Sequence, residues 1–129
     1  MTYTRWMTTG HCVVAVGGES KYHHYVPMRD FRLIGHKVAS MLGTMGLVSK
    51  PQLERELEGV MLESGKPFSK AGHEYKVTVT LYVLERLGAL EIHHPGRGRN
   101  PTIISGRIDP ARIRKAVDKI FSESIYVRK

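Results

Sequence analysis

Apolar positions change their spacing along the chain, and each change marks an element. The stretch "HCVVAVGGESKYHHYV", residues 11–26, joins a β-branched run to an aromatic, histidine-rich run through Gly17-Gly18. That order predicts a β-hairpin or extended arm. A lone hairpin is marginal in water, so it is expected to pack on the body or on a second chain. From Asp30 the period becomes three to four. Phe31, Ile34, Val38, Met41 and Met45 predict an amphipathic helix with Asp30 as N-cap and Gly46 at its end. A second helix opens at "SKPQLERELEGVM", where Ser49 caps, Pro51 sits in the first turn and Gln52 completes a capping box. Leu53, Leu57 and Val60 or Met61 form its inner stripe, and Glu54, Glu56 and Glu58 are expected to face water. The short link between the two helices predicts that they meet steeply, in a helix-turn-helix manner.

"ESGKPFSKAG" reads as a loop, and the segment after it carries two periods at once. "KVTVTLYV", residues 76–83, alternates like a strand. Over a wider window Tyr75, Val79, Tyr82 or Val83, Leu87 and Leu90 keep to one helical face, while Ser69, His73, Lys76 and Thr80 share a polar one. Two complementary faces outweigh a short alternation, so a helix is expected over roughly 70–87, with Gly88 beyond its end. "ALEIHH" and "TIISGRI" then read as strands flanking "PGRGRNP". Asp109-Pro110 opens a last helix whose inner stripe is Ile113, Val117 and Ile120 or Phe121.

Charge adds what periodicity cannot. The 129 residues carry 20 Lys+Arg against 12 Asp+Glu, a net +8. From His93 onward nine basic residues face three acids, so the last quarter holds most of the excess. A concentrated positive field favours a polyanionic partner. The length fits one domain with a flanking arm. No apolar run approaches the roughly 20 residues that span a bilayer, and no signal-peptide segment opens the chain. An intracellular location is therefore expected, cytoplasmic and nucleoid-associated if the polyanion is DNA. Cys12 has no second cysteine to pair with.

The order helix, helix, helix, strand, glycine-arginine loop, strand resembles the winged helix-turn-helix superfamily, in regulators of the MarR, ArsR and PadR type. "YVLERLGALEIHH" looks like a recognition helix running into a first wing strand, and "GRGRNP" looks like a wing tip. The resemblance covers about residues 30–106, while residues 1–29 match no element of that superfamily. It implies a three-helix core and a two-stranded wing; with the N-terminal hairpin or arm over 1–29 and the C-terminal helix and basic tail over 107–129 read from the residue pattern, the expected fold is α+β.

On that reading the third helix lies in a major groove and presents Ser69, Lys70, His73, Lys76 and Thr80 to base edges or phosphates. The wing residues Arg97, Gly98, Arg99 and Asn100 suit a narrow minor groove: glycines keep the loop thin and arginines seek its negative potential. Arg107, Arg112, Lys115 and Lys119 are candidate phosphate contacts; the last three form a basic stripe for which a solvated face is the leading reading, with phosphate contact and a dimer rim as the others. His11-Cys12 and His23-His24 lie on opposite arms of the hairpin and invite a zinc site, but the chain lacks CxxC, HxxxH and HExxH spacing, so no metal or other cofactor is expected. Neither a phosphate-binding glycine loop nor a nucleophile elbow is present, and the reading is a non-enzyme. Double-stranded DNA is the expected partner, bound by a homodimer with no membrane association, as a transcriptional regulator or nucleoid protein. The alternatives are a winged-helix docking module in an assembly, and RNA or single-strand binding through the aromatic arm.

Overall fold

A computed structural model describes residues 3–18, 22–94, 102–105, 110–123 and 126–128. Its first three strands are β1 (Tyr3–Thr8), β2 (Cys12–Gly17) and β3 (His23–Pro27). The expected hairpin is β2–β3, paired antiparallel with Val14 opposite Tyr25 and Ala15 opposite His24. It is wider than the sequence pattern indicated. β1 pairs with β2, and β7 (Tyr126–Arg128) pairs with the other edge of β1, giving the order β3-β2-β1-β7. Part of the segment read as a basic tail is thus a strand.

Helix α1 (Met28–Met45) begins three residues before the expected start. Pro27 occupies the N-cap position without a side-chain cap, and Asp30 is buried inside the first turn instead of capping it. Phe31, Ile34 and Val38 face the core as expected, but the stripe continues through Leu42, and Met45 is exposed. Gly46 ends the helix with φ of 78°. There the left-handed region suits glycine.

The short link to the next helix is itself a strand, β4 (Leu47–Ser49). Helix α2 (Lys50–Leu57) carries the full capping box: Ser49 Oγ accepts from Gln52 N at 3.2 Å, and Gln52 Oε1 accepts from Ser49 N at 2.9 Å. Leu53 and Leu57 are fully buried, whereas Met61 lies exposed beyond the helix. Residues 58–69 fold back as a small loop, bridged between Met61 and Pro67, that delivers Leu62 and Phe68 to the core.

Residues 76–83 are helical. Helix α3 (Lys70–Arg86) ends in a Schellman motif, with Ala89 N donating to Leu84 O and Gly88 N to Glu85 O, both at 2.9 Å. This motif turns the chain into β5 (Glu91–His93), which pairs with β6 (Ile103–Ser105). β6 also pairs with β4, so the second sheet has the order β4-β6-β5. Helix α4 (Pro110–Glu123) starts at the expected proline; its proposed cap, Asp109, lies outside the described residues.

The fold is thus α+β, with four helices and two small antiparallel sheets among the described residues. One core joins them: Trp6, Val13 and Ala15 from the first sheet, Phe31, Ile34 and Val38 from α1, Val77 and Leu84 from α3, and Ile113, Val117 and Ile120 from α4. No described helix is long and apolar enough to cross a membrane.

Candidate nucleic-acid interface

The polar stripe of α3 divides between surface and core. Lys70 is exposed, and its Nζ lies 3.6 Å from Glu54 Oε1. Ser69 is the N-cap residue, but its hydroxyl makes no cap bond; its backbone N–H donates instead to His73 Nδ1 at 3.1 Å. His73 is half-buried, with its ring beside Phe68. Lys76 and Thr80 do not face solvent, contrary to the sequence expectation. Lys76 is 6% exposed and Thr80 fully buried. Lys76 Nζ sits 2.7 Å from Asp30 Oδ2, and the Thr80 hydroxyl donates to Lys76 O at 2.8 Å. A helical period shows which positions share a face, but these polar groups turn inward because each finds a partner there.

The outward face of α3 carries different residues. Thr78, Tyr82 and Glu85 line a cleft of about 430 Å³ whose other walls include Tyr3 of β1, Lys50 of α2 and Ile92 of β5. Its chemistry is aromatic and mixed in charge. Burial raises the Tyr82 phenol above its ordinary pKa, against the opposing pull of Arg86. Glu74, further up the helix, accepts from Lys50 Nζ at 2.7 Å, and that hydrogen bond holds its carboxyl below the usual range.

Glu54 was expected in water, yet it is 3% exposed. Its two oxygens lie 3.5 Å from Lys50 and 3.6 Å from Lys70. The α2–α3 unit is therefore locked by interleaved charges of both signs. The sequence placed Glu54 outside because alternate glutamates usually solvate, and it gave no signal that two lysines from separate helix starts would converge there.

A second set of contacts fixes the first sheet to α3. Tyr3 Oη lies 2.7 Å from His24 Nδ1, and the His24 ring packs at 5.2 Å centroid distance on Tyr75. Tyr3 and Tyr82 are 5.5 Å apart. Burial lowers the His24 pKa and, together with Tyr22, raises that of Tyr3, so the pair is a neutral ring beside a neutral phenol. Tyr3 and His24 thus serve the contact between sheet and helix, whereas Tyr25 points outward at 54% exposure.

Arg97, Gly98, Arg99 and Asn100, with Arg107, lie outside the described residues. What is described is their frame: β5 and β6 pair as Ile92 opposite Ile104 and His93 opposite Ile103, and the segment bearing the arginines joins them. Arg112, Lys115 and Lys119 are exposed on α4. The histidines considered for zinc do not converge. His23 and His24 pair with Val16 and Ala15, at the far end of the hairpin from Cys12, which pairs with Pro27. Among the described residues no three His, Cys, Asp or Glu come together as a metal site.

No protein-family model, curated protein or solved structure matches this chain.

Proposed function

We propose that residues 28–105 form a winged helix and that the protein binds double-stranded DNA, as a transcriptional regulator or nucleoid-associated protein. One observation carries the reading: β5 and β6 form a hairpin immediately after α3, stitched to β4 in the order β4-β6-β5, and the segment joining them bears Arg97 and Arg99. The Schellman turn after α3 fixes the root of that hairpin beside the helix, so the segment that carries glycines and arginines in the sequence is joined to a rigid base. Such a segment suits the negative potential of a minor groove. The net charge of +8 supplies the sequence-independent attraction. On this reading the protein is a binder rather than an enzyme, acts as a homodimer on two-fold sites, and works in the cytoplasm.

The test is titration of random-sequence duplex, single strand and structured RNA at two salt concentrations. Duplex preference with steep salt dependence is expected, and Arg97→Ala with Arg99→Ala should flatten the salt slope by up to about two units. Absence of duplex binding at low salt removes the proposal. An unchanged slope in the double variant removes the loop from the interface.

A second reading, a docking module for another protein, draws on the outward face of α3. With Tyr82 and Glu85 in its cleft and Glu74 beside Lys50, that face offers aromatic and acidic groups together, which suits a basic or aromatic segment of a partner. Duplex binding that is weak and indifferent to the loop arginines would favour it.

A further inference from the structure

We propose that the solvent face of the α1–α4 pair is a phosphate-binding surface for a DNA duplex, separate from α3 and the β5–β6 hairpin. This rests on the nucleic-acid reading above and adds a second contact face to it.

The two helices pack antiparallel along their length. Phe31 meets Phe121 at 5.8 Å between ring centroids, and Gly35 lies against Val117. Near the far end Gly43 approaches Pro110. Their apolar sides are spent on the core, with Phe31, Ile34, Ile113, Val117 and Ile120 all buried. Most of the charged residues they show to solvent are basic. On α1, Arg29 and Arg32 are exposed and Lys37 half-exposed; on α4, Arg112, Arg114, Lys115 and Lys119 are exposed.

The two acids of this pair whose side chains are described, Asp30 and Asp118, are already engaged. Asp30 is buried against Lys76, and Asp118 already holds His36 Nε2 at 3.1 Å. Setting that buried pair aside, seven cations stand against Asp118 and Glu123 in the sequence of these helices, so they hold +5 of the chain's +8. The α2–α3 unit differs sharply. There Lys50, Arg55, Lys70 and Arg86 are matched by Glu54, Glu56, Glu74 and Glu85. One chain thus interleaves signs on one helix pair and leaves them unbalanced on the other.

A surface kept basic only for solubility gains nothing from that segregation, because like charges on adjacent helices repel and oppose compaction. A single-sign field is useful where it meets a polyanion. The spacing fits a phosphate track: Arg112, Lys115 and Lys119 rise along α4 by about 4.5–6 Å per step at 1.5 Å per residue, and arginines match phosphate oxygens bidentately. A lipid surface suits it poorly. Interfacial helices insert an apolar face, and here those faces are already buried.

None of the residues lining the cleft that α3 shares with β5 belongs to α1 or α4, so the two surfaces are built from different residues. The two faces can therefore engage two duplex segments at once.

The experiment uses the full chain and a variant with Arg32→Gln, Arg114→Gln and Lys115→Gln. All three positions are exposed, and none lines the α3 cleft. Affinity for a random-sequence duplex is measured across salt, with a companion assay in which a bead-bound duplex captures a second, labelled one. The expected result is a log–log salt slope shallower by about two to three units and loss of second-duplex capture. A charge-retaining variant, Arg32→Lys, Arg114→Lys and Lys115→Arg, should restore both. Wild-type duplex binding with unchanged slope and capture in the Gln variant overturns this inference and leaves the nucleic-acid reading standing. Wild type that binds no duplex at low salt overturns both. Binding to anionic phosphatidylserine vesicles that these residues carry, with no effect on duplex, assigns the face to a membrane surface and overturns the proposal.

Discussion

The ammonium of Lys76 and the carboxylate of Asp30 meet at 2.7 Å inside the core, on α3 and α1 respectively. Asp30 does double duty, because its other oxygen accepts from the backbone N–H of Glu63 at 2.9 Å. One buried side chain thereby holds α1, α3 and the loop between α2 and α3 together. Removing one partner strands a buried charge, so Asp30→Ala or Lys76→Met should cost about 3–5 kcal/mol. Pairing Lys76→Met with Asp30→Leu should recover much of that loss. Urea unfolding of the three variants checks it, and a Lys76→Met protein of unaltered midpoint would sink the structural role.

Gly35 sets how closely α1 approaches α4. A Cβ built there would lie 2.5 Å from Val117 Cγ2 in a buried interface. Gly35→Ala normally helps a helix by up to about 1 kcal/mol. Here overpacking costs about 1–3 kcal/mol, so net destabilisation is expected. Adding Val117→Ala should relieve the overlap. Thermal melts of both variants read the sign directly.

These two contacts also mark where the sequence stopped being legible. Signals that act within a turn or two were readable: the Ser49–Gln52 box, glycines at positions 46 and 88, and the Ile113–Val117–Ile120 stripe all sit where the spacing put them. The helical period of residues 76–83 was readable too, because a wide window outweighed a short β-branched alternation. The orientation of its polar stripe was not. A lysine goes inward only if its counter-ion is waiting, and Asp30 is 46 residues away. The strand pairing of Trp6 with Val127 has the same character, spanning nearly the whole chain with only three residues in β7. For the proposed interface, the arginines of the loop were visible as composition, but the charge balance of each helix face depended on which side chains the fold hides.

Acid should loosen the first sheet from α3. Burial depresses the His24 pKa in the folded state, so the unfolded chain binds the extra proton first. The stabilisation is complete above the ordinary histidine pKa of about 6.5 and is lost as pH falls from there through the depressed folded value. His24→Phe, which keeps a ring against Tyr75 but cannot titrate, should flatten stability between pH 7 and 5 relative to wild type. Denaturant midpoints across that range make the comparison. Parallel curves would dissociate His24 from the pH response.

Glu85 offers a direct test of whether α3 faces DNA. Its carboxylate lines the cleft beside Thr78 and Tyr82 on the outward side of α3, whereas Lys76 and Thr80 are buried. A phosphate approaching to about 6 Å in water is repelled by about 0.7 kcal/mol, which corresponds to about threefold in affinity. Glu85→Gln keeps the size and removes the charge, so duplex binding should tighten by about that factor at low salt, with the gain shrinking as salt is added. Glu56→Gln, on the exposed side of α2, is the control for net charge alone. Equal gains from both variants would reflect the whole protein's charge. No gain from Glu85→Gln would take α3 out of the interface and favour the docking reading for that cleft.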